Sequence, residues 1–328
     1  MKSKIQLIIL VAIALLIGFN VPQQLFAQTE EEYEKSKKEY EQKLKEFEAK
    51  KSETAKTNEA IKEKNKRNTL VNDGFQALRQ RQSSKSVRLF NEAIQIDEAF
   101  EKAYYGLGLA YSRDSKPREA LEAYEKAISL NPNYVTVYVA QGNLLQRLGR
   151  RPEAKASFEK AIELEPTNAK ALYGSGSIYA KQNRPDHRKA VELFQKAVAE
   201  DTKYALAYNA LGISQMELGR TTEGVQAFKE ATYANPNMAD AFYRLSKALN
   251  DIGKPREALD AAMSCINIKK GQRRFFAAAH IEAGRAYRDL GNNSLAIQQF
   301  ELAKKDNNWR DFATYQIEEI KRNQGGSR

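Results

Sequence analysis

The feature that most restricts the fold of this chain is that it repeats itself. YYGLGLAYSRDSKPREALEAYEKAISLNP, from Tyr104 to Pro132, aligns with YVAQGNLLQRLGRRPEAKASFEKAIELEP, from Tyr138 to Pro166, at an offset of 34 residues. The same register brings Gly74, Gly108, Gly142 and Gly176 into step, and Gly212, Ser246 and Gly284 follow after intervals of 36, 34 and 38. The hexapeptide KPREAL occurs at Lys116–Leu121 and returns at Lys254–Leu259, four units of 34 plus two residues later. Those two extra residues fall in QNRPDHRKA, Gln182 to Ala190. A unit this short cannot bury its own apolar face, so successive units must stack and share one elongated core.

The side-chain order inside a unit spells two helices. Tyr104, Leu107, Gly108 and Tyr111 fall on one face at helical spacing, and Ala120, Tyr124 and Ala127 do the same on a second helix. Between them lie Ser115, Lys116 and Pro117, with proline opening the second helix where its missing N–H is harmless. Gly108 and Ala120 are small because the helices cross closely there, and tyrosines fill the space beside the crossing. Asn131, Pro132 and Asn133 stop the second helix and turn the chain into the next unit.

On these residues the chain resembles the tetratricopeptide repeat, whose pattern is an aromatic, Leu-Gly, Tyr, then Ala, Phe, Ala and Pro over a unit of about 34 residues. Seven units fit, at 67–100, 101–134, 135–168, 169–204, 205–238, 239–276 and 277–310. The pattern departs most in the first unit, with Ser86 and Glu98 at signature positions, and in the sixth, with Ser246, Ala262 and Cys265. DFATYQIEEIKR, 311–322, is expected to cap the last exposed face, and 323–328 to be a disordered tail. The resemblance implies an all-α fold, a right-handed α-solenoid of about seven helix pairs preceded by a charged helix. It also implies an inner surface lined by first helices that binds extended peptides or partner segments.

Two rows describe what such a groove would offer. Three residues before each signature Gly or Ser stand Val71, Tyr105, Val139, Tyr173, Asn209, Tyr243 and Ile281; one residue after it come Phe75, Leu109, Asn143, Ser177, Ile213, Lys247 and Arg285. Tyr105, Tyr173, Tyr243 and Asn143 are the candidate contacts, since tyrosine among small and polar groups suits a protein ligand. Five residues after the signature position the charge segregates: Arg79, Arg113, Arg147 and Lys181, then Glu217, Asp251 and Asp289. If these line one edge, the edge is an electrostatic dipole able to orient an elongated partner; the bland alternative is that they are solvating charges on helix ends. The chaperone-tail clamp found in part of the family is missing. Its paired positions hold Tyr105 with Leu109, Val139 with Asn143, Lys170 with Gly174 and Asp240 with Arg244.

The N-terminus speaks to compartment. Lys2 and Lys4 precede an apolar run from Ile5 to Phe19, and Leu25-Phe26-Ala27 precede Gln28. This is the layout of a secretory signal peptide cut after Ala27, with an uncleaved membrane anchor as the alternative, and it predicts an exported, periplasmic or cell-envelope protein. Residues 28–66 hold eleven Glu and eleven Lys with no Gly or Pro, and Glu precedes Lys by four residues five times. That predicts a solvated spacer helix. A coiled coil fits less well: Tyr33, Tyr40, Phe47, Thr54 and Ile61 form one seam row, but the companion row is Lys37, Leu44, Lys51 and Asn58.

Nothing in the sequence assembles a catalytic or metal-binding group, and no cofactor is expected. The two histidines, His187 and His280, lack a second ligand at metal spacing, and His280 takes the place of Tyr104, Tyr138 and Tyr208. The lone Cys265 replaces Ala127, Ala161 and Ala231, as a small buried side chain would. The net charge of +11, with the run KKGQRRFF at Lys269–Phe276, raises a second reading, a basic envelope protein binding an anionic glycan, lipid headgroups or nucleic acid. Export disfavours nucleic acid. The first reading is a non-enzymatic scaffold of the envelope, serving secretion, outer-membrane or surface-polysaccharide assembly.

Overall fold

The computed structural model of the protein describes residues 13, 17–18, 23–268 and 275–325. Most of the apolar run of the proposed signal, the basic run 269–274 and the last three residues lie outside the described residues. Among the described residues there are fifteen named helices and no strand. They are α1 (Gln23–Arg79), α2 (Ser83–Ile96), α3 (Glu101–Arg113), α4 (Pro117–Leu130), α5 (Val135–Arg147), α6 (Arg151–Leu164), α7 (Ala169–Lys181) and α8 (His187–Glu200). The rest are α9 (Ala205–Glu217), α10 (Thr221–Ala234), α11 (Ala239–Asp251), α12 (Pro255–Ile266), α13 (Phe276–Asp289), α14 (Asn293–Ala303) and α15 (Arg310–Gly325). The end of α1 pairs with α2, and six further pairs follow, each first helix also packing on the first helix of a neighbouring pair. This is the all-α solenoid that the repeat demands. The closing helix α15 packs on α14 and runs three residues past Arg322.

In six of the seven units one aromatic side chain holds the stack together. Phe90, Tyr124, Phe158, Phe194, Phe228 and Phe300 project from second helices, and each is at most 2% exposed. Each ring lies on the signature glycine of its own first helix: Phe158 covers Gly142 so closely that a Cβ there would stand 2.8 Å from the ring. The same ring also lies against Gly174 of the following unit. Glycine at both places lets one wedge join three helices, and burying such a ring stabilises by about 2 kcal/mol. Unit six lacks the wedge, with Ala262 in its place, and there Ser246 stands where glycine would, donating its hydroxyl to the Ala258 carbonyl at 2.7 Å.

Six of the seven turns within units place one residue in the left-handed region, the longer turn at 182–186 being the exception. Gly149, Gly219, Gly253 and Gly291 supply it with φ of 71–78°, whereas Arg81 and Ser115 adopt φ of 61° and 58° without glycine's freedom. Turns between units are closed by a side chain instead. Asp97, Asn131, Asp201 and Asn235 each accept, on Oδ1, the backbone N–H two residues on, at 3.0–3.1 Å.

The charged segment and the first helix of the array form a single helix of 57 residues. Its exposed flank carries Leu44, Phe47 and Ile61 in isolation among charges. Glu34–Lys37 and Glu59–Lys62 close along it, each at 3.8 Å and three residues apart rather than four. The helix joins the core only near its end. There Arg67 pairs with Asp97 and its guanidinium lies 3.8 Å from the Phe100 ring centre. Among the described residues no helix is long and apolar enough to cross a membrane.

Candidate functional site: the first-helix face

The helical register sends the residue three before each signature Gly or Ser toward the face shared by first helices, and its size decides whether it stays accessible. Val71, Val139, Asn209 and Ile281 are buried there, while Tyr105, Tyr173 and Tyr243 are half-buried and show an edge. All three tyrosines are pinned by neighbouring rings. Tyr105 packs on Tyr134 at 5.5 Å and Phe75 at 6.0 Å, Tyr173 on Tyr204 at 5.1 Å and Phe194 at 5.8 Å, and Tyr243 stacks on Phe275 at 5.9 Å. Burial pushes the phenols of Tyr105 and Tyr243 above the usual range and that of Tyr204 up to about 12, so these groups stay neutral donors. Asn143 is exposed.

The edge row divides into engaged and free charges. Arg113 donates to the Leu78 carbonyl at the end of α1, and Arg147 donates to Ser112 Oγ at 2.5 Å, so both bridge to the preceding first helix. Asp251 accepts from Lys247 at 2.8 Å and Arg285 at 2.9 Å, and those cations hold its carboxyl below the usual range against the opposing effect of burial. Asp289 pairs with Arg288 at 3.1 Å. Arg79, Lys181 and Glu217 are exposed and make no ion pair among the described residues. The row is therefore partly structural; these three charges are free of any partner among the described residues, and Arg147, bonded only to a hydroxyl, keeps its charge unneutralised.

Three contiguous clefts run along this face from unit three to unit six. The first, about 340 Å³, is lined by Arg147 and Arg151 on one side and Tyr173, Ser177 and Lys181 on the other. The second, about 410 Å³, shares Tyr173, Ser177 and Lys181 and continues through His187, Asn209 and Ile213 to Asp240 and Arg244. The third, about 230 Å³, shares Ile213 and Arg244 and ends at Glu217, Tyr243 and Lys247. Polar groups knit the clefts' walls: Asp240 accepts from Arg244 Nε on Oδ1 and from Asn209 Nδ2 on Oδ2, both at 2.9 Å. Further along, Glu282 is 3% exposed and accepts from Asn250 Nδ2 and Arg285 Nη1, each at 2.9 Å. Burial raises its carboxyl above the usual range, opposed by Arg285 and Asn250.

The sequence rows contain Asn209 and Arg285 without showing that they meet Asp240 and Asp251 across a unit boundary, whereas Lys247–Asp251 and Arg285–Glu282 are pairs within one unit. The signals were the Asp240–Arg244 and Lys247–Asp251 spacings, which suit ion pairs one turn apart. His280, set against the tyrosines of other units, keeps a polar partner, its Nδ1 lying 2.8 Å from Gln299 Oε1. Cys265 is fully buried. No group of three metal-ligating side chains occurs among the described residues.

Stacked helix pairs whose first helices share a cleft-bearing face define a helical-repeat scaffold for protein–protein interaction. Residues 101–134, 139–205 and 209–264 match the tetratricopeptide repeat family, and the chain is a tetratricopeptide repeat protein. Among solved structures it is similar to PilF of Pseudomonas aeruginosa, at 15% identity and a TM-score of 0.58, covering 65% of this chain and 96% of that one. It is also similar to a tetratricopeptide repeat protein from Parabacteroides merdae, at 16% identity and a TM-score of 0.51, covering 78% and 99%. These likenesses concern the fold. A curated relative, the peroxisomal targeting signal receptor of Kluyveromyces lactis, is 22% identical over 117 residues, 36% of this chain. The matched stretch spans 21% of that receptor's length.

Proposed function

We propose that this protein is a non-enzymatic scaffold of the cell envelope that holds a peptide or partner segment on its first-helix face. The observation that carries the reading is the run of clefts from Arg147 to Lys247, in which pinned tyrosine edges alternate with charged and amide groups. Rigid aromatic groups supply contact area at small entropic cost, and surrounding polar groups set register. Tyr105, Tyr173, Tyr243 and Asn143 are the contacts, with Arg79, Lys181 and Glu217 the charges free to steer. Arg113, Arg147, Asp251 and Asp289 contribute to the same dipole field while serving the solenoid.

The envelope assignment is supported by Lys2 and Lys4 ahead of the apolar run and by Ala27 at the cleavage position. In that compartment the work suited to such a scaffold is the assembly of secretion, outer-membrane or surface-polysaccharide machinery. The test is a photo-crosslinking side chain placed in the full chain at Tyr173 or, as control, at Tyr233, which is 88% exposed on a second helix. Crosslinks to a protein partner in intact cells from position 173 and not 233 are expected. Equal crosslinking from both positions would refute groove binding. Recovery of the product from the cytosol would refute export.

A further inference from the structure

The middle cleft carries two features that narrow what it binds. The first is polar. Both oxygens of Asp240 are occupied, one by Arg244 and the other by Asn209 Nδ2. A carboxylate cannot donate, so this bond fixes which end of the Asn209 amide is the NH₂ and leaves Oδ1 as an acceptor. Asn209 is 6% exposed, and its Oδ1 has no partner among the described residues. His187 Nδ1, on the same cleft, is also buried without one. Buried polar atoms seldom go unpaired in folded proteins, and two line this one cleft.

The second feature is charge. In units six and seven the cations of this face sit against carboxylates: Arg244 on Asp240, Lys247 on Asp251, Arg285 on Asp251 and Glu282. In units three and four they do not. Arg147, Arg151 and Lys181 line the adjoining cleft with no carboxylate in its wall, and none of the three forms an ion pair among the described residues. Between the cation-rich end and the neutralised end lies an apolar wall of Tyr173, Phe194, Ile213 and Met238.

We propose that the occupant is an extended acidic protein segment with one bulky apolar anchor. The anchor, an aromatic or long aliphatic side chain, enters among Tyr173, Phe194, Ile213 and Met238. A backbone N–H beside it is donated to Asn209 Oδ1. Aspartate or glutamate side chains on one flank lie over Lys181, Arg147 and Arg151. Anchor burial supplies affinity, and the one-sided charge fixes direction along the solenoid. The inference rests on the reading that this face binds polypeptide.

A random peptide library selected on the immobilised full chain tests it. The expected enrichment is a large apolar residue next to a cluster of Asp and Glu. A selected peptide, labelled for anisotropy, then binds the Lys181→Glu/Arg147→Glu double variant at least about tenfold more weakly. It binds Leu206→Glu, which sets a charge at the cleft's mouth from a residue 51% exposed, weaker by a similar factor. Tyr233→Ala leaves binding unchanged, and circular dichroism of every variant matches wild type. Peptides enriched without that pattern, or insensitive to those substitutions, would overturn this inference and leave polypeptide binding standing. Absence of any enrichment would remove both. Retention on heparin through the same cations, with no peptide enriched, would assign the cleft to an anionic polysaccharide and overturn the proposal.

Discussion

Replacing Gly142 by alanine tests the wedge that joins α5, α6 and α7. A Cβ at that position would stand 2.8 Å from the Phe158 ring, against the roughly 3.5–4.0 Å at which carbon atoms rest in contact. The ring has nowhere to retreat, because it is wholly buried and the same ring atoms already lie against Gly174. Overpacking of this kind costs about 1–3 kcal/mol, and the blocked retreat places the cost near the upper end. Alanine returns about 1 kcal/mol through helix propensity. The net expectation is a loss of about 2 kcal/mol. Phe158→Leu, by removing ring atoms from the contact, should make the double variant more stable than the two single losses added together. Urea unfolding followed by circular dichroism gives the global value, and hydrogen exchange across α5–α7 gives the local one, since an array can open in parts. Gly142→Ala with stability equal to or above wild type would refute the wedge argument, because propensity alone would then account for it.

Ser115→Gly should raise stability by about 1 kcal/mol, since φ of 58° strains any residue with a Cβ and four equivalent turns already use glycine; a lower melting temperature would contradict this. Glu282 supports a pH prediction. Its folded value is raised by burial, so its stabilising contribution is full below the unfolded value and drains away as pH rises through the folded one. Glu282→Gln should narrow the stability difference between about pH 4 and pH 7, read from urea midpoints, and an unchanged profile would rule the residue out as a source. The Cys265 thiol, fully buried and pushed up to about 12 by desolvation, should resist alkylation in the native chain and react once urea unfolds it; fast native labelling would show that unit six opens.

Period and side-chain volume made the architecture legible. Gly74, Gly108 and Gly142 recur at one spacing, and so do Phe90, Tyr124 and Phe158, because each unit meets the same crossing problem. The site was legible only as rows. Periodicity says that Tyr105, Tyr173 and Tyr243 share a face, but not that Phe75, Tyr204 and Phe275 would pin them. Nor could it show that Arg113 and Arg147 bridge to the preceding helix while Lys181 stays open, since that depends on stagger between units. The bond from Asn209 to Asp240 spans 31 residues and joins positions of different register, so no single-unit pattern contains it.

Because the charged stretch enters the array without a break, the solenoid has no swivel at its root. From Gln28, past the proposed cut, to Arg79 the helix measures about 78 Å end to end. Whatever grips its far end therefore sets both the height and the heading at which the clefts are held out, as a mast sets the attitude of a sign. A glycine-rich joint cut into it near residue 60 would leave every cleft intact and yet free the array to point anywhere.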